Sequence, residues 1–205
     1  VVLPETVARE KLEKIKALGV DTILYSNDSG IAEQHAQKLA KEQGKIYISP
    51  YNDPQIIAGQ GTLAIELLDQ LPRLDVVYVS IGGGGLISGI GSVMKAFSPQ
   101  TRVVGVSAKN SAELAASIRA GKMVQVDHHE TLADGCAGGV DRDTITFGLG
   151  KEVIDDLIDC SEQQIEVGLQ QIAWSEKMLV EGSAGLAYAA WQEDCQKNKN
   201  KISAV

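Results

Sequence analysis

Four consecutive glycines, Gly82-Gly83-Gly84-Gly85, follow the strand-like run Val76 to Ile81 directly and lead into a helical segment, Leu86 to Phe97. A junction of this kind, a buried strand passing through a glycine loop into a helix, suits one chemistry well. Successive residues without a Cβ let main-chain N–H groups turn inward around an anion, and the first helical turn adds unpaired amides and a positive dipole end. Neither Lys nor Arg occurs in the loop, so a phosphate held there would rest on backbone amides from Gly82 through Leu86. A plain tight turn would need only one or two glycines.

The pattern excludes two common phosphate ligands. A Walker loop ends in Gly-Lys-Ser/Thr, whereas Gly89 here is followed by Ile90-Gly91. A dinucleotide fingerprint needs a third glycine where Ile87 or Ser88 stands, and an acidic ribose partner where the next strand ends at Ser107. A compact single phosphate remains, such as that of pyridoxal 5′-phosphate.

Other reactive side chains carry weaker signals. His128-His129-Glu130 lacks the His-Glu-x-x-His spacing of a metal site, and adjacent side chains diverge, so a solvated loop is expected and no metal site. Cys136, Cys160 and Cys195 are odd in number and show no Cys-x-x-Cys spacing, which argues against a disulfide framework and fits a reducing, cytoplasmic setting. Cys136 reads as a small buried residue, Lys109 as a surface lysine, and Trp174 and Trp191 as core or interface packing.

The elements that must position these residues alternate between strand and helix. Val1 to Leu3 reads as a buried parallel strand. Helices are expected over 5–18 and 31–42, with strands over 21–25 and 45–49. The Pro50-Tyr51-Asn52-Asp53-Pro54 turn marks a boundary between 1–52 and 53–205. Beyond it, helices are expected over 55–71 (interrupted near Gly59-Gln60-Gly61), 86–97, 112–120, 147–157, 161–179 and 184–192. Strands are expected over 76–81 and 102–107, with an irregular stretch at 121–140 and a solvated tail after Glu193. Ser161 and Gln164 make a capping-box pattern. Repeated β-α units with apolar strands predict an α/β fold with an open, mostly parallel sheet covered by helices.

Composition narrows the function further. The 205 residues carry 19 Lys and Arg against 27 Asp and Glu, and only 4% are aromatic. That balance argues against nucleic-acid binding, which needs a basic footprint and usually stacking platforms. Val76 to Met94 is uncharged and long enough to cross a membrane, but its six glycines and three serines would leave too much backbone unsatisfied in lipid. The chain opens on an apolar run without Met, so it reads as a piece of a larger protein, whose central strands would become exposed edges and invite association.

Taken in order, Pro50-Tyr51-Asn52-Asp53-Pro54, Ile57-Ala58-Gly59-Gln60-Gly61-Thr62, Ser80-Ile81-Gly82-Gly83-Gly84-Gly85-Leu86, Glu130-Thr131-Leu132-Ala133-Asp134-Gly135 and Glu181-Gly182-Ser183-Ala184-Gly185 resemble the serine/threonine dehydratase and serine racemase family of fold-type II pyridoxal-phosphate enzymes. The resemblance implies that Gly82, Gly83, Gly84, Gly85 and the Leu86 amide cradle the cofactor phosphate. It also places Gly135 beside the pyridine ring and Glu181 near it. Residues 1–52 would then belong to a small domain and 53–205 to a large cofactor-binding domain.

The resemblance puts the cofactor-carrying lysine and the substrate-carboxylate loop upstream of this chain, and the partner of the pyridine nitrogen downstream, so no catalytic residue is expected here. Some family members bind a cation through two acidic side chains. Ser107 stands in one of those places and Glu113 in the other, and a lone carboxylate makes a poor divalent site. The implied activity of the whole enzyme is conversion of a β-hydroxy amino acid to a 2-keto acid and ammonia, with a homo-oligomeric assembly. Racemisation, or a non-catalytic phosphate-binding or regulatory module, are the alternatives.

Overall fold

The computed structural model describes residues 1–197 and 199–205, which divide into two compact units, Val1–Ser49 and Pro50–Val205. The division falls at the first proline of the expected turn. Tyr51 and Asn52 go with the second unit because Asp141 N–H donates to Tyr51 Oη (2.9 Å) and Ile145 N–H to Asn52 Oδ1 (3.0 Å).

In the first unit, β1 (Val2–Leu3) pairs in parallel with β2 (Ile23–Leu24), and α1 (Arg9–Ala17) and α2 (Ser29–Glu42) complete it. Asp28 caps α2 by accepting from the Ile31 amide. Only Ala32 and Ser49 are buried among the described residues of this unit, so β1 is half-exposed rather than the buried strand expected. Residues 45–49 form no strand, and Ile46 and Ile48 are exposed.

The second unit is built on a four-stranded, all-parallel sheet in the order β5-β4-β3-β6. Its strands are β3 (Val76–Ser80), β4 (Arg102–Ala108), β5 (Asp156–Cys160) and β6 (Ser203–Ala204). Side chains alternate between two cores, as the two-residue period of a strand requires. Val77, Val79 and Val103 pack under α3 (Pro54–Gln70) and α4 (Gly85–Phe97) with Ala64, Ile87 and Met94. Val76, Tyr78, Val104 and Val106 pack on the other face with Ile165 and Leu186 of α7 (Glu162–Ser175) and α8 (Gly182–Asp194). Helices thus cover both faces, as the apolar strand runs imply.

Several local differences have physical causes. Helix α3 runs unbroken through Gly59-Gln60-Gly61, and Gly61 stands at a close crossing with α4, where a Cβ would lie 3.2 Å from the Gly89 carbonyl oxygen. A Cβ on the facing Gly89 would lie 2.3 Å from the Ile57 carbonyl oxygen. The helix expected over 147–157 is α6 (Ile145–Val153), and the remainder enters β5, where Asp156 is paired to Arg102 and Asp159 to Arg119. Helix α5 spans Glu113–Ala120, and α7 begins on the expected capping box. Ser203–Ala204 of the expected solvated tail pair with β3, helped by the Ile202 N–H, which donates to Asp75 Oδ2 at 2.8 Å. Asn198 of that tail lies outside the described residues. Trp174 is 83% exposed and stands outside either core, with Lys177 over its ring.

Candidate functional site

The glycine loop sits at the carboxyl end of β3, where a parallel sheet presents its ligand-binding edge. Gly84 takes a left-handed conformation (φ 86°) as the residue before α4, a conformation that only glycine adopts without strain. The rest of the loop is shaped by close packing. A Cβ on Gly83 would lie 2.4 Å from the Tyr51 ring, and one on Gly85 would lie 3.0 Å from the Tyr51 Cα. A Cβ on Gly82 would meet the Cys136 main chain at 3.0 Å. The glycines are therefore spent on contact with Tyr51, Cys136, Leu114 and Thr146, and the loop's main-chain donors are what it offers a ligand.

Those donors are available. The Ile81 N–H bonds to Val106 O and the Ser88 N–H to Gly84 O, but among the described residues the amides of Gly82 through Ile87 find no protein acceptor. Thr146 Oγ1 donates to Gly83 O at 2.7 Å and fixes the opposite side of that peptide plane. Gly84, Gly85 and Ile87 are buried, and orphaned buried N–H groups are rare in folded proteins. A run of them at the head of a 13-residue helix fits a phosphate ester.

A second group of residues converges beside the loop. Gly135 lies in the 3-10 turn Asp134–Cys136, and a Cβ there would stand 3.0 Å from Ser183 Oγ and 3.7 Å from Glu181 Oε1. Glu181 is the exposed residue preceding α8, and its carboxylate makes no capping bond. Ser80 Oγ donates to Ser183 O at 2.6 Å and ties this corner to the end of β3. Ser183 Oγ is itself buried and has no oxygen or nitrogen partner. Sequence reasoning passed over Ser183 as part of a motif; only its burial next to Gly135 marks it.

Cys136 is buried as expected. Burial pushes its thiol up, the Ser183 hydroxyl opposes that, and the Glu181 and Asp134 carboxylates add to it. Lys109 is exposed. Ser107 is buried with an unpartnered hydroxyl, and Glu113 is committed to neighbours. Among the described residues, no cluster of three or more His, Cys, Asp or Glu is arranged to hold a metal ion.

The expectation for His128 needs correction. Rather than lying in a solvated loop, its imidazole bridges Ser111 Oγ (2.8 Å, Nδ1) and Glu113 Oε2 (3.0 Å, Nε2). His129 beside it is exposed, as expected. No helix among the described residues is long and apolar enough to cross a membrane.

Fold and site together define a class: a parallel α/β protein with a strand–glycine loop–helix junction whose amides from Gly82 to Ile87 lack protein acceptors among the described residues. The chain belongs to the pyridoxal-phosphate dependent enzyme family, whose model matches residues 1–205. It is 33% identical over 205 residues to the L-threonine ammonia-lyase of Thermotoga maritima, spanning 100% of this chain and 51% of that protein. It is 34% identical over 191 residues to the catabolic L-threonine dehydratase TdcB of Escherichia coli K12, covering 93% of this chain and 57% of that one. Among solved structures, the processed form of threonine deaminase isoform 2 from Solanum lycopersicum superposes with a TM-score of 0.88 at 30% identity, over 99% of this chain and 60% of that one. Maize serine racemase superposes with a TM-score of 0.87 at 28% identity, over 99% and 62%. The chain thus spans little more than half the length of the curated relatives named here.

Proposed function

We propose that this chain is the phosphate-binding part of a pyridoxal 5′-phosphate-dependent dehydratase that converts a β-hydroxy amino acid, threonine or serine, to a 2-keto acid and ammonia. The observation that carries the reading is the run of amides from Gly82 to Ile87 without protein acceptors. These amides, with the N-terminal dipole of α4, hold the phosphate. Gly135 leaves room for the ring at its edge, where a side chain would intrude, and Glu181 and Ser183 face that space. Burial around Gly84, Gly85 and Ile87 keeps water from competing for the amides.

When bound, the cofactor supplies the electron sink that stabilises negative charge at the substrate α-carbon. The residues of this chain bind and orient it. We place the lysine that carries the cofactor upstream and take residues 1–52 as part of the smaller domain, of which Val1–Ser49 form a compact unit. A homo-oligomeric cytoplasmic enzyme completes the reading, in keeping with three free cysteines. Likeness to maize serine racemase supports racemisation as the second reading; it differs in the fate of the α-proton.

The test is titration of the 205-residue chain with pyridoxal phosphate, followed by absorbance and fluorescence, with inorganic phosphate as competitor. Saturable binding displaced by phosphate is expected, with no lysine of this chain trapped on borohydride reduction. Tighter binding of ATP or NAD, or specific labelling of Lys109, would overturn the proposal.

A further inference from the structure

Residues 121–140 contain a single 3-10 turn and no other regular structure, yet they carry Gly135 and Cys136 to the glycine loop. A segment without ladder hydrogen bonds must have its main-chain groups satisfied in another way if it is to hold one position. Here a side-chain cluster does so. Gly138 N–H donates to Ser111 Oγ (3.0 Å) and Val140 N–H to Glu113 Oε1 (3.0 Å). His128 joins the two acceptors, 2.8 Å from Ser111 Oγ and 3.0 Å from Glu113 Oε2. His129 N–H, donating to Asn110 O, and Asn110 Nδ2, donating to Glu130 O, fasten the flank. We infer that His128 is a positioning residue, the crosspiece of a clasp that holds residues 134–141 against the phosphate loop.

The donor pattern supports this. The Glu113 carboxylate can only accept, so Nε2 carries the hydrogen, and a neutral imidazole accepts at Nδ1 from the Ser111 hydroxyl, whose oxygen accepts from Gly138. The imidazole then donates from Nε2 to the carboxylate of Glu113, itself only 7% exposed. Removing the imidazole would leave one oxygen of a buried carboxylate and one buried hydroxyl unsatisfied at once.

The path to the loop is short. Asp141, next to the clasped Val140, donates its N–H to Tyr51 Oη (2.9 Å), and Tyr51 packs on Gly83 and Gly85. Cys136, at the other end of the segment, backs Gly82. Loosening the clasp therefore frees two of the surfaces that shape the loop. The functional consequence rests on the reading of that loop as a phosphate cradle.

The experiment compares the 205-residue wild type with H128A and H128Q by amide hydrogen exchange and by pyridoxal phosphate titration. In H128A the amides of Gly138, Val140 and Asp141 should exchange roughly tenfold faster or more, while those of β3 and β4 stay as slow as in wild type. Pyridoxal phosphate affinity should fall by a similar factor. H128Q, whose amide still donates to Glu113, should recover much of both effects. Unchanged exchange at 138–141, or equal acceleration across the whole sheet, would overturn the clasp. If wild type binds no pyridoxal phosphate but the local exchange pattern appears, the phosphate reading fails and the clasp stands; if wild type binds and H128A binds equally well, the positioning role fails alone.

Discussion

Replacing Gly84 by alanine probes fold and site through one atom. The added methyl would lie 2.3 Å from Leu114 Cδ2 and 3.1 Å from Thr146 Cβ, and Leu114 is 1% exposed within the core. The backbone cost of an L-residue at φ 86° is about 1–2 kcal/mol, and overpacking a core position adds about 1–3 kcal/mol. The expected loss of roughly 2–5 kcal/mol is a large share of the 5–15 kcal/mol that stabilises an ordinary domain. If the chain instead relieved the strain by rotating Gly84 to negative φ, the peptide planes leading into α4 would swing and the amide cradle would be lost. Urea unfolding followed by circular dichroism measures the first effect, and pyridoxal phosphate titration the second.

A cycle with Leu114→Ala separates the two costs. The methyl clash should be relieved in the double variant, so the pair should be less destabilising than the sum of the singles by about 1–3 kcal/mol. The left-handed backbone cost should persist. Additivity within about 0.5 kcal/mol, or a Gly84→Ala loss below about 1 kcal/mol, would refute the account of why glycine is required there.

Two more predictions concern the opposite core and the thiols. Asp194 is 4% exposed and accepts from Tyr78 Oη (2.9 Å) and Arg102 Nη1 (2.7 Å). Asp194→Ala removes this shared acceptor while Arg102 keeps Asp156, and should cost about 1–3 kcal/mol by chemical denaturation, whereas Tyr78→Phe should cost about 1 kcal/mol. Burial alone would raise the Asp194 carboxyl, but Arg102 and Tyr78 outweigh it and hold the group below its ordinary 3.8. Its contribution is therefore complete above that value and lost as pH falls below it, a loss that the alanine variant should no longer show. In thiol titration, Cys160, pushed up to about 12 chiefly by burial, and the buried Cys136 should resist reagent in the native state. The half-buried Cys195 should react first, and all three should react in denaturant; early modification of Cys160 would contradict its burial.

Local signals were readable where one segment carries its own reason. Val76 to Val79 is an unbroken apolar run because both of its faces are covered. Ser161 and Gln164 cap α7 within four residues of chain. The tetraglycine located the loop, but the sequence did not show that its missing Cβ atoms also accommodate Tyr51 and Cys136, residues distant in sequence.

Strand β5 escaped detection because the helix expected over 147–157 was carried into it, and only Arg102 and Arg119, from other elements, make Asp156 and Asp159 compatible with a sheet. His128 escaped for a related reason. Its partners stand 15 and 17 residues away, and nothing in the local spacing brings them together. Trp174 shows the converse, since a helical apolar position does not bury itself unless another element covers it.

The amino-acid sequence by itself determined the alternation of strand and helix, the junction that frees a run of amides, and the family. These depend on periodicity, turn chemistry and backbone freedom, which act over a few residues. Tertiary structure alone decided that Ser183 faces Gly135, that His128 bridges Ser111 and Glu113, and that Tyr51 lies over the glycine loop. Those contacts join residues far apart along the chain, and hydrogen bonding and close packing select them only once the sheet has set the distances.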